Sequence, residues 1–336
     1  MSDISEKKWG WGRIPVMDTI QKIPGGMMVC MMLLGCLINT FFPNALMIGS
    51  YTTYLFKNGH NPMIGMLLVC SGAQISVRNA GLTLYKGFVL NLSKVVLGVA
   101  IGLVLGKVAG PGATLLGLTP LALIAAMANS NGGLYTALAT RYGEESDIGA
   151  IAVLSINDGP FFTMLAMGAS GLANIPFLTL VACLVPLLFG MLLGNLDDKW
   201  RKFLAPGVGL AVPFMGLPLG ANLNIKDIFT AGIPGIVLGL ITVIVTGIGS
   251  YVFYRLVVPK KNRKCAGLGF AVGTAAGNSA ATPLALAAVD PSLAPIAAVA
   301  TVQVSAAVVI SAIIVPFVVD FLDKMEKRSQ AKEAAA

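Results

Sequence analysis

Charged side chains are scarce in this sequence. Aspartate, glutamate, lysine and arginine make up 11% of its 336 residues, whereas hydrophobic residues make up 56%, and the mean hydropathy is +0.82. About a quarter of the residues of a typical soluble domain are charged, and a soluble chain this apolar would expose larger hydrophobic patches than monomers tolerate. The composition therefore argues against a soluble domain and predicts an integral membrane protein.

Residues that build catalytic and metal centres are also few. The single histidine, His60, allows neither a histidine metal cluster nor a Ser-His-Asp triad. The sequence also contains no P-loop motif, so it does not indicate ATP-driven transport. We therefore expect no enzymatic activity, no cofactor and no metal site. The cysteines lack metal-ligand spacing and are typical of small packing residues; they are Cys30, Cys36, Cys70, Cys183 and Cys265.

Apolar runs of about 20 residues, the length that crosses a bilayer, recur along the whole chain. They predict an all-α membrane protein of about ten transmembrane helices. The fourth run is interrupted near residues 129–133 and the ninth near residues 278–283, and residues 43–61 form a loop or a short interfacial segment. The predicted spans are residues 23–42, 62–77, 87–108, 116–140, 148–170, 175–196, 203–223, 228–256, 266–289 and 293–322.

Basic residues are distributed unevenly between the loops. With ten spans, 19 of the 23 lysines and arginines fall on the side that holds both termini, and Lys57, Lys107 and Lys226 fall on the other. The remaining one, Lys94, lies within the third span. Because short cytoplasmic loops carry an excess of basic residues, we expect an inner-membrane protein with both termini in the cytoplasm. The net charge of +8 then reflects orientation and does not indicate nucleic-acid binding.

The two halves of the sequence resemble each other at offsets of 148–152 residues. The matched segments are Ile23-Pro24 with Ile175-Pro176, residues 72–77 with 220–225, Asn129-Ser130 with Asn278-Ser279, and residues 148–152 with 296–300. Because five spans per copy is an odd number, the second copy must insert with inverted topology. We therefore predict an N-terminal cytoplasmic segment (1–21), two five-helix repeats (22–171 and 172–325) and a cytoplasmic tail (326–336).

The two interrupted spans carry residue types that disfavour a continuous helix. Asn and Ser compete for backbone hydrogen bonds and Gly-Gly is a poor helix former, while Thr282-Pro283 predicts an N-cap followed by proline. Each break would turn free N–H groups and a positive dipole end into the core, which suits a carboxylate. The alternative is a tolerated kink whose polar side chains are satisfied locally. The candidate substrate-binding residues are Asn129, Ser130, Asn131, Gly132, Gly133 and Tyr135, with Asn278, Ser279 and Thr282.

Few charges lie within predicted spans; among them, Asp158 lies in the fifth and Lys94 in the third. A charge buried in a membrane is a functional candidate, and a desolvated carboxylate can load and release a proton near neutral pH. Asp158, with Asn157 before it, is therefore the predicted proton or ion-coupling site. Lys94 is expected to pair with Asp158 or to bind an anionic substrate. The alternatives are a structural ion pair or, for Lys94, an amine that extends toward the headgroups.

Three amide side chains in the spans are further candidates. Gln74 and Asn222 occupy matched positions near the ends of the second and seventh spans, and Gln303 lies in the tenth. They are candidates for hydrogen bonds to substrate hydroxyls or for coordination of a cation. Interhelical hydrogen bonding is the alternative for each of them.

Four motifs resemble the 2-keto-3-deoxygluconate permease family: Lys22–Met28, Asn131–Tyr135, Gly194–Asp197 and Ala281–Pro283. The resemblance runs from residue 22 to residue 322, and the family is similar to the bile acid/sodium symporter-like group. It implies two inverted repeats, a panel and a core subdomain, and crossing discontinuous helices 4 and 9. It also implies proton-coupled uptake of 2-keto-3-deoxygluconate, a sugar-acid monocarboxylate, with Asp158 at the family's acidic position before Gly-Pro.

Three other functions stay open at this point. One is a sodium-coupled organic-anion symporter, in which the break residues and Gln74 would bind Na+. Another is a cation/proton antiporter, which Asn157-Asp158 and Lys94 suggest. The last is a membrane sensor without flux. The expected partners are a small carboxylate or sugar-acid substrate and the lipid bilayer, and the sequence does not indicate an oligomeric state.

Overall fold

The computed structural model describes residues 15–22, 26–76, 81–108, 114, 116–157, 159–223 and 225–335. Every regular element within these residues is a helix, in agreement with the predicted all-α class. The α-helices are α1 (Val16–Lys22), α2 (Gly26–Phe41), α3 (Ser50–Phe56), α4 (His60–Gln74), α5 (Leu82–Val108), α6 (Pro120–Met127), α7 (Gly132–Tyr142), α8 (Glu145–Gly149), α9 (Ile151–Leu154), α10 (Phe161–Ala169), α11 (Phe177–Leu196), α12 (Asp198–Leu204), α13 (Gly207–Gly220), α14 (Ile225–Thr242), α15 (Gly249–Val257), α16 (Leu268–Ala271), α17 (Thr282–Val289) and α18 (Ala294–Ala335). A π-helix (Val243–Ile248) joins α14 to α15, and 3-10 turns cover Ser155–Asn157, Lys260–Asn262, Gly277–Ala281 and Pro291–Leu293.

Five helical segments among the described residues are long and apolar enough to cross a bilayer, or six if one bent pair counts as a single span. The five are Leu82–Val104, Phe177–Leu196, Asp198–Gly220, Gly232–Val257 and Pro291–Ser329. The predicted first and second spans correspond to α2 and α4, of 16 and 15 residues, and the fourth and ninth are broken. The count of ten spans therefore stays a prediction.

The bent pair lies in the predicted fifth span, where we expected a continuous helix. Its two parts, Glu145–Asn157 and Phe161–Ala169, meet at 55°. Gly159 has a φ of +84°, a left-handed conformation that glycine adopts without strain. Pro160 follows it and has no N–H with which to continue a helix. The Gly-Pro pair therefore explains the bend.

Helices α2, α4, α11 and α13 form a four-helix unit, in which α2 packs on α13 and α4 packs on both α11 and α13. No Cβ would fit between Gly72 of α4 and the carbonyl of Leu187 of α11, or between Gly220 of α13 and the carbonyl of Met32 of α2. Glycine at such contacts is the usual way in which membrane helices approach closely. Gly72 and Gly220 are matched positions of the predicted repeat.

The remaining long helices form a second unit. Within it, α14 packs along α18, and α5 packs against α6, α8, α9, α10 and α15. All eight residues of α6 are buried, so this short helix lies inside the core. The two interrupted segments lie together, because α6 contacts α17 and α7 contacts α16.

The loop between α3 and α4 holds the end of α13 through Lys57, in a set of bonds that we term the first clamp. The Lys57 ammonium donates to the carbonyl of Ala221 and, at 3.0 Å, to Asn39 Oδ1. Asn39 Nδ2 donates to the carbonyl of Leu223 at 2.9 Å. Asn222 Nδ2 donates to the carbonyl of Lys57 at 3.0 Å.

An equivalent set of bonds, the second clamp, holds the end of α4 through Arg201 of α12. The Arg201 guanidinium donates to the carbonyl of Ala73 at 3.2 Å and to Asn195 Oδ1 at 3.5 Å. Asn195 Nδ2 donates to the carbonyl of Ile75 at 2.7 Å. Gln74 Nε2 donates to the carbonyl of Arg201 at 3.1 Å.

The two clamps correspond at the offset found in the sequence. Residues 73–75 match residues 221–223 at an offset of 148, and helix α3 (50–56) matches α12 (198–204) at the same offset. Residues 43–61, which the sequence predicts as a loop or a short interfacial segment, therefore contain helix α3, and α3 has a counterpart in the other half. In each clamp, the basic residue and the asparagine come from one half of the chain and hold a helix end of the other half.

Candidate functional site

The predicted fourth span is interrupted where its sequence indicates. Helix α6 ends at Met127 and α7 begins at Gly132. Asn131 is the N-cap of α7, and its Oδ1 accepts a hydrogen bond from Leu134 N at 3.0 Å. The N–H groups of Gly132 and Gly133 precede the first intrahelical bond of α7 and have no acceptor within the helix. This end of α7 therefore presents free donors and the positive end of a helix dipole.

The predicted ninth span is interrupted over a longer stretch. Helix α16 ends at Ala271, a 3-10 turn covers Gly277–Ala281, and α17 begins at Thr282. The prediction that Thr282 caps α17 is wrong, because Ala281 occupies the N-cap position and provides no side-chain cap. The 3-10 turn leads directly into α17, so the turn takes the place of a capping side chain.

The two breaks contact each other inside the core. Asn129 Nδ2 donates to Asn278 Oδ1 at 2.7 Å, and both side chains are buried. Asn131 N donates to Thr274 Oγ1 at 2.9 Å. Asn129 and Asn278 are matched positions at an offset of 149, so a residue here binds its own counterpart. Such a contact is expected where two halves related by a two-fold axis meet.

A cavity of about 1000 Å³ lies against the two breaks, between the four-helix unit and the second unit. Its walls are mainly apolar with a few polar groups, as is typical of small-molecule sites. The lining residues are Gln21, Lys22, Gly26, Met27, Met28, Leu67, Ser71, Gln74, Ser130, Asn131, Gly132, Gly133, Leu134, Thr136, Ala137, Ile148, Gly149, Ile151, Ala152, Ser155, Val208, Val212, Ala276, Gly277, Asn278 and Ala312. The free end of α7 therefore faces a space of ligand size.

Asn157 supports the fourth-span break from the side of α5. Its Nδ2 donates to Ser130 Oγ at 3.2 Å and to Asn91 Oδ1 at 3.3 Å, and all three residues are buried. Asp158, the predicted proton site, follows Asn157 in the sequence and lies outside the described residues. The structure thus connects the residue before Asp158 to the cavity wall.

Lys94 supports the ninth-span break in a similar way. Its side chain is fully buried, and its amine donates to Thr246 Oγ1 at 3.0 Å and to the carbonyl of Thr274 at 2.9 Å. Lys94 does not line the cavity. In this conformation its amine therefore contacts the protein core.

Two buried oxygens at the breaks have no hydrogen-bond partner among the described residues. They are Asn129 Oδ1 and Ser279 Oγ. A buried polar atom without a partner costs about 1–3 kcal/mol, so such atoms are expected to bind something during the protein's working cycle. Their position beside the Asn129–Asn278 bond makes the meeting point of the breaks the polar centre of the site.

Comparison with known proteins identifies the family of this chain. The sequence model of the 2-keto-3-deoxygluconate permease family matches residues 17–328. The chain belongs to the 2-keto-3-deoxygluconate permease family. It is 46% identical to 2-keto-3-deoxygluconate permease 1 of Salmonella typhimurium over 324 residues, which cover 96% of this chain and 99% of that protein. The 2-keto-3-deoxygluconate permease of Bacillus subtilis is 34% identical over 319 residues, covering 94% and 95% of the two chains.

Family membership confirms the resemblance that the four motifs carry. It also confirms the predicted class, a membrane transport protein. The 2-keto-3-deoxygluconate permease of Xanthomonas euvesicatoria is 36% identical over 303 residues, which cover 89% of this chain and 94% of that protein. The family model matches residues 17–328, and this range includes both interrupted spans and both clamps. With several long apolar helices, this member of the permease family is a multi-pass membrane protein.

The three predicted amides are not brought together in this chain. Gln74 lines the cavity, but its Nε2 donates within the second clamp and to the carbonyl of Cys70 at 3.2 Å. Asn222 belongs to the first clamp and is exposed. Gln303 is buried and donates to the carbonyl of Gly117 at 2.9 Å. Of the three, Gln74 alone borders the cavity, and all three hold backbone carbonyls.

Tyr135 is directed away from the cavity, into a buried polar network. Its hydroxyl donates to the carbonyl of Asp147 at 2.9 Å, and Tyr254 donates to Asp147 Oδ1 at 2.9 Å. Lys86 lies 2.9 Å from Asp147 and 2.7 Å from Glu144, and the side chains of Lys86 and Asp147 are fully buried. Hydrogen bonding from Lys86 lowers the pKa of the Glu144 carboxyl. This network fixes α5, α7, α8 and α15 relative to one another.

Thr274 is a site residue that the sequence did not single out. It accepts from Asn131 N through its hydroxyl and from Lys94 through its carbonyl. We placed the interruption at residues 278–283, whereas α16 already ends at Ala271. The glycines at 273 and 277 were the available signal, because two glycines four residues apart weaken a helix.

Proposed function

We propose that this chain is a secondary transporter that takes up 2-keto-3-deoxygluconate, or a closely related sugar acid, across the inner membrane together with protons. One observation carries the proposal: two broken helices meet through the Asn129–Asn278 bond, and Asn278 lines a cavity of about 1000 Å³. The family name and the names of the relatives specify the substrate class. Broken helices at a repeat interface are where secondary transporters bind substrate.

We infer that the architecture is a pair of five-helix inverted repeats, residues 22–171 and 172–325, with ten spans. Three features support it. Asn129 binds its counterpart Asn278, the two clamps repeat at an offset of 148, and α2–α13 packing has its counterpart in α4–α11 packing. The four-helix unit then corresponds to a panel subdomain and the second unit to a core subdomain, with the two breaks crossing in the core.

The substrate carboxylate is proposed to bind at the start of α7. Gly132 and Gly133 offer free N–H groups on the cavity wall, where the helix dipole favours an anion. The side chains of Ser130, Asn131 and Asn278 also line the cavity and are the proposed partners of the sugar-acid hydroxyls. A small number of convergent polar groups in an apolar pocket is typical of such sites.

The cavity is proposed to open to the cytoplasm. Its lining extends to Gln21 and Lys22 before α2, to Gln74 at the end of α4, and to Val208 at the start of α13. These positions lie on the side that the basic residues predict to be cytoplasmic. The structure described here would then correspond to an inward-facing state, from which substrate leaves into the cell.

Asp158 is proposed to carry the coupled proton. Its neighbour Asn157 is bonded to Ser130 of the break, so a change in the charge of Asp158 would act close to the substrate. The test is uptake of labelled 2-keto-3-deoxygluconate into proteoliposomes, driven by a pH gradient, for wild type, Asp158→Asn and a control. Glu145→Gln is the control, because Glu145 is exposed and takes part in none of the ion pairs among the described residues. Asp158→Asn should lose accumulation but keep downhill exchange; full gradient-driven uptake would contradict the proton role.

Sodium-coupled symport is the second candidate. It is favoured by the unpaired, buried Asn129 Oδ1 and Ser279 Oγ, since neutral oxygens bind Na+. Replacing Na+ by choline at constant ionic strength decides between the two. Proton-coupled uptake should be unchanged by the replacement, whereas sodium-coupled uptake should be abolished.

A further inference from the structure

The amine of Lys94 occupies a junction of three segments deep in the membrane part. Lys94 lies on α5, about 18 Å along the helix from Leu82. Its amine donates to Thr246 in the π-helix (Val243–Ile248) and to the carbonyl of Thr274 in the ninth-span break. Both oxygens come from the second half of the chain, while the amine comes from the first.

The two segments that supply these oxygens touch through their backbones. At Gly273 a Cβ would collide with the backbone of Gly247. The residues that follow and precede these glycines, Thr274 and Thr246, therefore cannot separate without breaking this contact. A π-helix within an α-helix is frequently found at functional sites, and here it presents Thr246 to Lys94.

The surroundings of the amine resemble those of a bound metal cation. In transporters with inverted repeats, unwound carbonyls of broken helices coordinate the coupling cation. The carbonyl of Thr274 is such a group, and it is already bonded to Lys94. None of the ion pairs in the described part of the chain includes Lys94. Both oxygens that accept from this amine among the described residues are therefore neutral, as ligands of Na+ can be.

We propose that the Lys94 ammonium is a tethered cation that takes the place of a free coupling cation at the ninth-span break, so that transport requires no Na+. The inference rests on the proposed transport function and deepens it. The hydroxyl of Thr274 accepts from Asn131 N, so the same cation also fixes the fourth-span break on the cavity wall. Lys94 is a positioning residue, because it holds Thr274 and does not line the cavity.

The test is rescue of a Lys94→Ala variant by small cations. The melting temperature of purified wild type, Lys94→Ala and Leu90→Ala is measured in choline chloride, sodium chloride and methylammonium chloride at one ionic strength. Leu90 is the control because it is fully buried on the same helix and its truncation removes volume without charge. Methylammonium should raise the melting temperature of Lys94→Ala alone, and Na+ should not stabilise wild type over choline.

Uptake of 2-keto-3-deoxygluconate gives the functional readout. The uptake rate of Lys94→Ala should be about tenfold or more below that of wild type, the loss expected for hydrogen bonds to a charged group. Methylammonium should restore most of this rate. If Lys94→Ala does not fold, Thr246→Val removes one acceptor and should slow uptake several-fold with little change in melting temperature.

Three results would overturn the inference: full uptake by Lys94→Met in choline, no response of Lys94→Ala to methylammonium, or Na+-dependent uptake by wild type. Failure of the proposed function is distinguishable from failure of this inference. Wild type would then not transport 2-keto-3-deoxygluconate in any salt, while the melting temperatures would still report on Lys94.

Discussion

Replacing Gly133 by alanine separates substrate binding from folding. Gly133 is the second residue of α7 and lines the cavity. A Cβ there would meet one atom, Asn131 Oδ1, at 3.6 Å, which is an ordinary contact. Alanine is also up to about 1 kcal/mol more favourable than glycine in a helix. The variant should therefore be at least as stable as wild type.

The same methyl group should weaken substrate binding. It would stand in the cavity beside the N–H groups of Gly132 and residue 133, where we propose that the carboxylate binds. A hydrogen bond to a charged group contributes about 1.5–3 kcal/mol, and each 1.4 kcal/mol is a factor of ten in affinity. The loss of one such bond should raise the Kd for 2-keto-3-deoxygluconate by roughly 10- to 150-fold.

The assay is calorimetric titration of detergent-purified protein, with thermal unfolding of the same samples. Gly209→Ala is the matched control, because Gly209 is helical, a Cβ there meets nothing within 4 Å, and the residue does not line the cavity. Its Kd should equal that of wild type. If Gly133→Ala binds with the wild-type Kd at an unchanged melting temperature, the carboxylate does not bind at the start of α7 and our reasoning is refuted.

Three further predictions concern pairs at or near the site. Asn129→Ala and Asn278→Ala should each destabilise the protein, and a double-mutant cycle by thermal unfolding should give a coupling of about 0.5–3 kcal/mol; zero coupling would contradict the bond. Lys86→Met should cost about 3–5 kcal/mol, because it leaves Asp147 buried without its cation, and adding Asp147→Asn should recover much of this loss in the same assay. The lowered pKa of Glu144 means that its stabilising contribution is complete above the ordinary value of 4.5 and is lost as the pH falls below it. Glu144→Gln should therefore flatten the decline of the melting temperature below pH 4.5, and an unchanged decline would show that this carboxyl does not contribute.

The sequence predicted the parts of the fold that depend on local chemistry. Asn-Ser-Asn-Gly-Gly disfavours a helix wherever it occurs, so the break between Met127 and Gly132 followed from residue types alone. The offset of 148–149 residues paired Asn129 with Asn278 because repeats share residue types at matched positions. The sequence offset does not give the position of the second copy relative to the first. It therefore could not predict that these two side chains bind each other.

The remainder depends on partners that are distant in the chain. Gln74 and Asn222 are predicted counterparts, and their amides bind the backbones of Arg201 and Lys57, at separations of 127 and 165 residues. Nothing in the local sequence distinguishes an amide that holds a carbonyl from one that binds a hydroxyl, since both need the same donor. Tyr135 was similarly ambiguous, because its neighbours Leu134 and Thr136 on α7 line the cavity while its own hydroxyl bonds the carbonyl of Asp147.

The clamps bear on which part of the molecule can move. They fasten the ends of α13 and α4 to residues of the opposite half, so the four-helix unit is tied together at two places and should move as one body. The contacts between the two units across the cavity are weaker than the hydrogen bonds of the clamps. Met28 lies beside Gly277, and Ser305 Oγ donates to the sulfur of Met32 at 3.2 Å. None of the ion pairs among the described residues joins the two units. Alternating access by motion of one unit against the other is therefore most easily accommodated along this cavity, where the substrate is proposed to bind.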